Sequence, residues 1–111
     1  MKILTDATVF ALRTREYLLP EFGAGVGVIL REMSAPESLE YWEMVKGADD
    51  KADTDQMFQA DPWLFSRCII DDKGAPIFTE AQLSPIPARL RNHAAAMRGI
   101  IIDLSMPQVK K

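Results

Sequence analysis

Residues 84–104 read SPIPARLRNHAAAMRGIIIDL, with Ile86, Leu90, Ala94, Met97, Ile101 and Leu104 at spacings of 4, 4, 3, 4 and 3. That is the period of an α-helix with a single apolar stripe. Ser84 supplies a cap and Pro85 a first-turn proline, so the stretch predicts a closing helix that starts there. The stripe needs an apolar surface to cover it. Either the chain's own core or a groove on a second copy or a partner meets that need.

Upstream of this helix the pattern turns mixed. Trp63, Leu64, Phe65, Cys68, Ile69 and Ile70 form a dense apolar segment, read as a helix running through to Ile70. Asp71-Asp72-Lys73-Gly74 is a turn. Ala75-Pro76-Ile77-Phe78 is extended, because a proline disfavours helix at the residue before it. Thr79-Glu80-Ala81-Gln82 has capping-box spacing and opens a short helical turn at Leu83. Pro62 either kinks a long helix that begins near Asp53 or Thr54, or opens a second helix with Asp61 as its cap.

An earlier helix begins at Ser34-Ala35-Pro36-Glu37, another capping box with a first-turn proline. Leu39, Trp42 and Val45 are its expected apolar face, and Gly47 its end. Before it, Arg15 to Pro20 reads as a strand. Val26, Val28 and Leu30 alternate with Gly27, Ile29 and Arg31, a second strand. Gly23 and Gly25 between them suit a hairpin loop, and Gly27 marks a bulge or a close backbone approach. The expectation is an α+β, mostly α-helical single domain. Residues 1–13 are an arm of undetermined structure, 14–33 a small N-terminal β-hairpin, 34–104 the helical part and 105–111 a tail.

Composition narrows the function. The chain has 111 residues, enough for one core. Thirteen Lys+Arg against sixteen Asp+Glu give a net charge of −3. A duplex nucleic-acid binder or a polybasic membrane binder needs a cationic surplus, so both classes are disfavoured. One Cys forbids an intramolecular disulfide and the paired-cysteine zinc patterns. One His forbids a two-histidine metal site. No run approaches the ~20 apolar residues of a membrane span, and Asp6 interrupts the start, so no signal peptide is expected. A reducing cytoplasm is the expected compartment.

Few residues are candidates for chemistry. His93 lies beside the apolar stripe with no cysteine or second histidine nearby, and reads as an ordinary packed or surface residue. Cys68, between Phe65 and Ile69, reads as a buried, inert thiol. Asp49, Asp50, Asp53 and Asp55 superficially resemble a calcium loop. Counted from Asp50, however, position six is Asp55 rather than glycine and position twelve is Asp61. They read as a solvated linker. Gly23-Ala24-Gly25-Val26-Gly27 lacks phosphate-loop spacing and runs into a strand, not a helix. Of Trp42, Phe58, Trp63, Phe65 and Phe78, most are expected in the core, with Trp63 the first choice for exposure. An enzyme would need a pocket joining His93, Cys68 and a carboxylate. No catalytic, cofactor-binding or metal-binding residue is assigned, and no cofactor is expected.

One run of features is similar to a known family. It comprises Tyr17-Leu18-Leu19-Pro20-Glu21-Phe22-Gly23 before a hydrophobic strand, the Met33-Ser34-Ala35-Pro36-Glu37 helix start and a polar linker. Then come an apolar helix ending Cys68-Ile69-Ile70-Asp71-Asp72, the segment Lys73-Gly74-Ala75-Pro76-Ile77-Phe78-Thr79-Glu80, and a closing helix. The order resembles the small tail assembly chaperones of long-tailed phages and prophages, over residues 17–104 and most specifically from Cys68 to Leu83. The resemblance implies a non-enzymatic protein that binds the tape measure protein and keeps it soluble. It implies recruitment of tail tube protein through a longer frameshifted form, self-association into a homo-oligomer, and action in the cytoplasm of the bacterial host without a place in the mature virion. The resemblance designates no partner-binding residue. The alternatives are a head–tail connector or tail completion protein, and a small regulator such as an antitoxin or repressor.

Overall fold

The computed structural model describes residues 11–106, together with Met1 and Ile3. Most of the arm expected over 1–13 and of the tail over 105–111 lies outside the described residues. The order of elements is β1 (Thr14–Leu18), β2 (Gly27–Arg31), α1 (Ala35–Val45), α2 (Thr54–Cys68), β3 (Ile69–Ile70), α3 (Ala88–Arg91) and α4 (Ala94–Ser105). Short 3-10 turns cover Pro20–Phe22 and Ala81–Leu83. The class is α+β, more helical than stranded, as the sequence predicts.

The hairpin forms where expected. β1 and β2 pair antiparallel from Thr14↔Arg31 to Leu18↔Gly27. The amide of Leu19 donates to the carbonyl of Val26 at 2.8 Å and closes the loop. Gly23 and Gly25 sit at φ +134° and +75°, a region glycine enters without steric cost. Gly27 is a close approach: a Cβ there would stand 2.5 Å from the Tyr17 carbonyl oxygen.

The sheet has a third strand. β3 pairs antiparallel with β2 through Ile29↔Ile70 and Leu30↔Ile69. The apolar helix therefore ends at Cys68, not Ile70, and its last two isoleucines turn into the sheet. Two residues are too few to show the alternation by which a strand is recognised. The turn after β3 is built by the Asp71 carboxylate, which accepts from the amides of Lys73 at 2.8 Å and Ala75 at 3.0 Å. Gly74 takes φ +84°. The chain then returns along β3 in a bridge of Ile70 with Pro76.

Both capping boxes are present. Ser34 and Glu37 exchange side-chain and backbone bonds at the start of α1. Thr79 and Gln82 do the same before the second 3-10 turn. Glu37 also accepts two bonds from Arg31, at 2.8 and 3.0 Å, and ties the end of β2 to the start of α1. That guanidinium holds the Glu37 carboxyl down to about 2.

The buried face of α1 differs from the expected one. Tyr41 and Val45 are inside, whereas Leu39 is 71% and Trp42 42% exposed. Tyr41 and Val45 are also a helical i,i+4 pair, so periodicity alone does not choose between the two faces. Contact with α2 chooses: the Tyr41 ring stacks on Trp63 at 6.3 Å between centroids. Trp63 is thereby 8% exposed, contrary to its expected exposure, with the Arg67 guanidinium 4.2 Å from the ring centroid.

α2 starts at an Asp53 cap, whose side chain accepts from the Gln56 amide. It runs unbroken through Pro62. Asp61 is not a cap: it is 2% exposed and bonds the Arg98 guanidinium of α4 at 2.8 and 2.6 Å.

The closing helix also begins later than expected and in two pieces. Pro87 keeps Ile86 out of the helical region, so the first helical residue is Ala88. Asn92 and His93 then separate α3 from α4. The stripe survives the break. Leu90, Ala94, Met97 and Ile101 are buried, and Ile86 and Leu104 half-buried. Leu90, Ala94, Met97 and Ile101 pack with Leu30, Leu64, Phe65, Ile69 and Leu83 into the core, and Ile86 rests against it. Among the described residues, no helix is long and apolar enough to cross a membrane.

The buried pair yields a stability prediction. Asp61→Leu or Arg98→Met alone leaves one buried charge without its partner and is expected to cost about 3–5 kcal/mol in denaturant unfolding followed by tryptophan fluorescence. The double replacement is expected to recover most of that loss.

Candidate functional site

His93, at the junction of α3 and α4, joins that junction to the hairpin. Its Nδ1 lies 2.8 Å from the Tyr17 hydroxyl of β1. Its Nε2 bonds the carboxylate of Glu21, in the loop between β1 and β2. A carboxylate only accepts, so Nε2 carries the proton, and in the neutral ring Nδ1 accepts from the Tyr17 hydroxyl. The Tyr17 and His93 rings meet edge to face at 5.5 Å. The bond from His93 lowers the Glu21 carboxyl below its ordinary value. His93 is thus a packed residue, as expected, but one that clips the hairpin loop to the helices. The sequence holds no local sign of this, because the partners lie 76 and 72 residues away.

The assembly that an enzyme would need is not formed by these residues. Both nitrogens of His93 are occupied by Tyr17 and Glu21. Cys68 is fully buried at the end of α2, and burial pushes its thiol up to about 12. Asp49, Asp50, Asp53 and Asp55 are exposed. Asp49 accepts from the Lys51 amide and Asp53 caps α2, so both carboxylates organise their own backbone. Among the described residues, no group of three or more His, Cys, Asp or Glu side chains gathers as a metal site would.

Concave apolar surface is more abundant. Leu19, Phe22, Val28, Phe78, Arg89 and Leu90 line a cleft of about 390 Å³ between the hairpin loop and α3. Met33, Tyr41, Trp42, Val45, Met57 and Met106 line another of about 350 Å³ between α1 and the end of α4. A third, of about 660 Å³, lies beside the Asp61–Arg98 pair, with Phe58, Pro62, Pro85 and Ile86 in its walls. Trp42 and Phe58, two of the five aromatics weighed above, are exposed at these clefts, while Trp63 and Phe65 are core.

The fold has a solved counterpart. The structure superimposes on that of the bacteriophage HK97 tail assembly chaperone with a TM-score of 0.58, over 88% of this chain and 90% of that one, at 24% sequence identity. No protein-family model matches the sequence, and no curated protein does. The likeness establishes a shared fold, and the resemblance read from residues 17–104 agrees with it.

The environment of Cys68 makes a direct expectation. A buried thiol with a raised pKa reacts only when the chain opens. An aromatic disulfide reagent at pH 8 is expected to leave Cys68 unmodified in the native protein and to label it fully in denaturant.

Proposed function

We propose that this chain is a tail assembly chaperone of a long-tailed phage or prophage, a binding protein without turnover. It holds the tape measure protein soluble in the host cytoplasm and brings tail tube subunits to it, the latter through a longer frameshifted form. Copies of the chain associate while doing so, and the protein leaves before the virion is complete. Residues 1–111 act as one domain in this role. The observation that carries the reading is the fold shared with the HK97 tail assembly chaperone along nearly the whole of both chains.

The physical features of the chain support it. A holdase stabilises its client by occupying apolar surface, in proportion to concentration and affinity, and needs no reactive group. Leu39, Trp42 and Phe58 stand in solvent, and three apolar clefts open on the surface. Exposed apolar surface of this kind marks interaction sites.

Co-expression tests the reading. A candidate tape measure protein is expected to be insoluble alone, and soluble and co-purifying when this chain is present. Solubility unchanged by the chain would contradict the proposal.

A further inference from the structure

The cleft between the hairpin loop and α3 carries one charge. Among its described lining residues Arg89 alone is charged, and the rest are apolar side chains and one glycine. Phe22 and Val26, 41% and 42% exposed, stand at its rim. The Arg89 guanidinium sits 5.9 Å from the Phe22 ring centroid. None of the ion pairs among the described residues involves Arg89. The acid beside Phe22 in the chain, Glu21, is committed to His93. A cation is therefore held at the mouth of an apolar cleft with the neighbouring carboxylate tied elsewhere.

The other two clefts differ in this respect. Beside α2, Asp61 and Arg98 satisfy each other, and Arg91 donates to the Ile86 carbonyl at 3.3 Å. Between α1 and α4, the described lining residues carry no charge at all. Among the described residues, the Arg89 side chain of the hairpin cleft makes neither an ion pair nor a hydrogen bond, so its charge remains open to a partner at the edge of apolar walls, and complementary charge is what orients a partner and selects it.

The cleft is also preformed. The His93 bonds to Tyr17 and Glu21 fix the hairpin loop against the α3–α4 junction, and the Leu19–Val26 bond closes the loop. A wall held in place costs less ordering on binding than a mobile one.

We infer that this cleft seats an amphipathic helix of the client, whose apolar face covers Phe22, Val26, Val28 and Leu90 and whose carboxylate pairs with Arg89. The helical form of the occupant rests on the chaperone reading, since a client of long amphipathic helices presents such faces.

The test uses the full chain and two synthetic 18-residue amphipathic peptides with the same leucine stripe, one flanked by glutamate and one by lysine. In amide NMR titrations the glutamate peptide is expected to shift Phe22, Val26, Val28 and Leu90. It is expected to bind about fivefold tighter than the lysine peptide, the scale of one exposed ion pair. Arg89→Glu reverses that preference. Val26→Glu, at a half-exposed rim position, abolishes binding of both peptides while leaving the amide spectrum otherwise folded. Equal binding of the two peptides, or shifts confined to the Met33–Met57 cleft, overturns the inference. So does a concentration-dependent dimer that Arg89→Glu dissociates without peptide, because the occupant is then a second copy. Co-expression separates this inference from the chaperone reading. Client solubility that survives both Arg89→Glu and Val26→Glu sinks the cleft assignment and leaves the chaperone reading standing. A client that the wild-type chain does not solubilise, with the glutamate peptide still bound at Arg89, sinks the reading and upholds the cleft.

Discussion

The Asp61 carboxylate and the Arg98 guanidinium meet inside the protein, and the helical half of the fold is arranged about that contact. Two short bonds join α2 to α4 across 37 residues of sequence. A charged pair removed from water is tolerated only while both partners are in place. Sliding α4 by one turn, about 5.4 Å, would part them and leave two charges stranded. The pair thus fixes the register of α4, and with it which residues of the closing stripe face Leu64, Phe65 and Leu30. It fixes α2 as well: with Asp61 committed inward, Trp63 stacks on Tyr41 and carries the Arg67 guanidinium over its ring, and that stacking decides which face of α1 is buried. Leu39 and Trp42 are outside for this reason.

Much of the fold was legible because it is local. The Ser34–Glu37 and Thr79–Gln82 boxes, the glycine-bearing hairpin loop, the Asp71–Gly74 turn and the Leu90–Ala94–Met97–Ile101 stripe each follow from residues within a turn or two of one another. What was not legible is settled at long range or by a neighbouring proline. The face of α1 depends on Trp63, some twenty residues on. β3 is defined only by its pairing with β2. The start of the closing helix moves from Ser84 to Ala88 because Pro87 also restricts Ile86, a second proline effect beyond that of Pro85. The roles of Asp61 and His93 needed partners that no spacing rule connects.

The same contrast governs the site. The packed His93 and the buried Cys68 were readable from their apolar neighbours, and the structure shows His93 bonded to Tyr17 and Glu21 and Cys68 inside the core. Surfaces are harder to read than reactive groups, because a cleft belongs to no single segment. The hairpin cleft joins residues 19–28 to residues 78–90, and Arg89 is unremarkable until Glu21 is found bonded elsewhere. Exposed apolar side chains and a preformed cleft, whose one cation is without an acid among the described residues, suit the proposed role of a protein that works by contact.

A chaperone of tail assembly and a structural connector both bind tail proteins, and they differ in where the chain ends up. Quantitative mass spectrometry of purified, mature particles from cells producing this chain separates them most directly. The account predicts that the tape measure and tail tube proteins are present and that this chain is absent at the level of background host protein. Its recovery in fixed stoichiometry with the tail proteins would contradict the account.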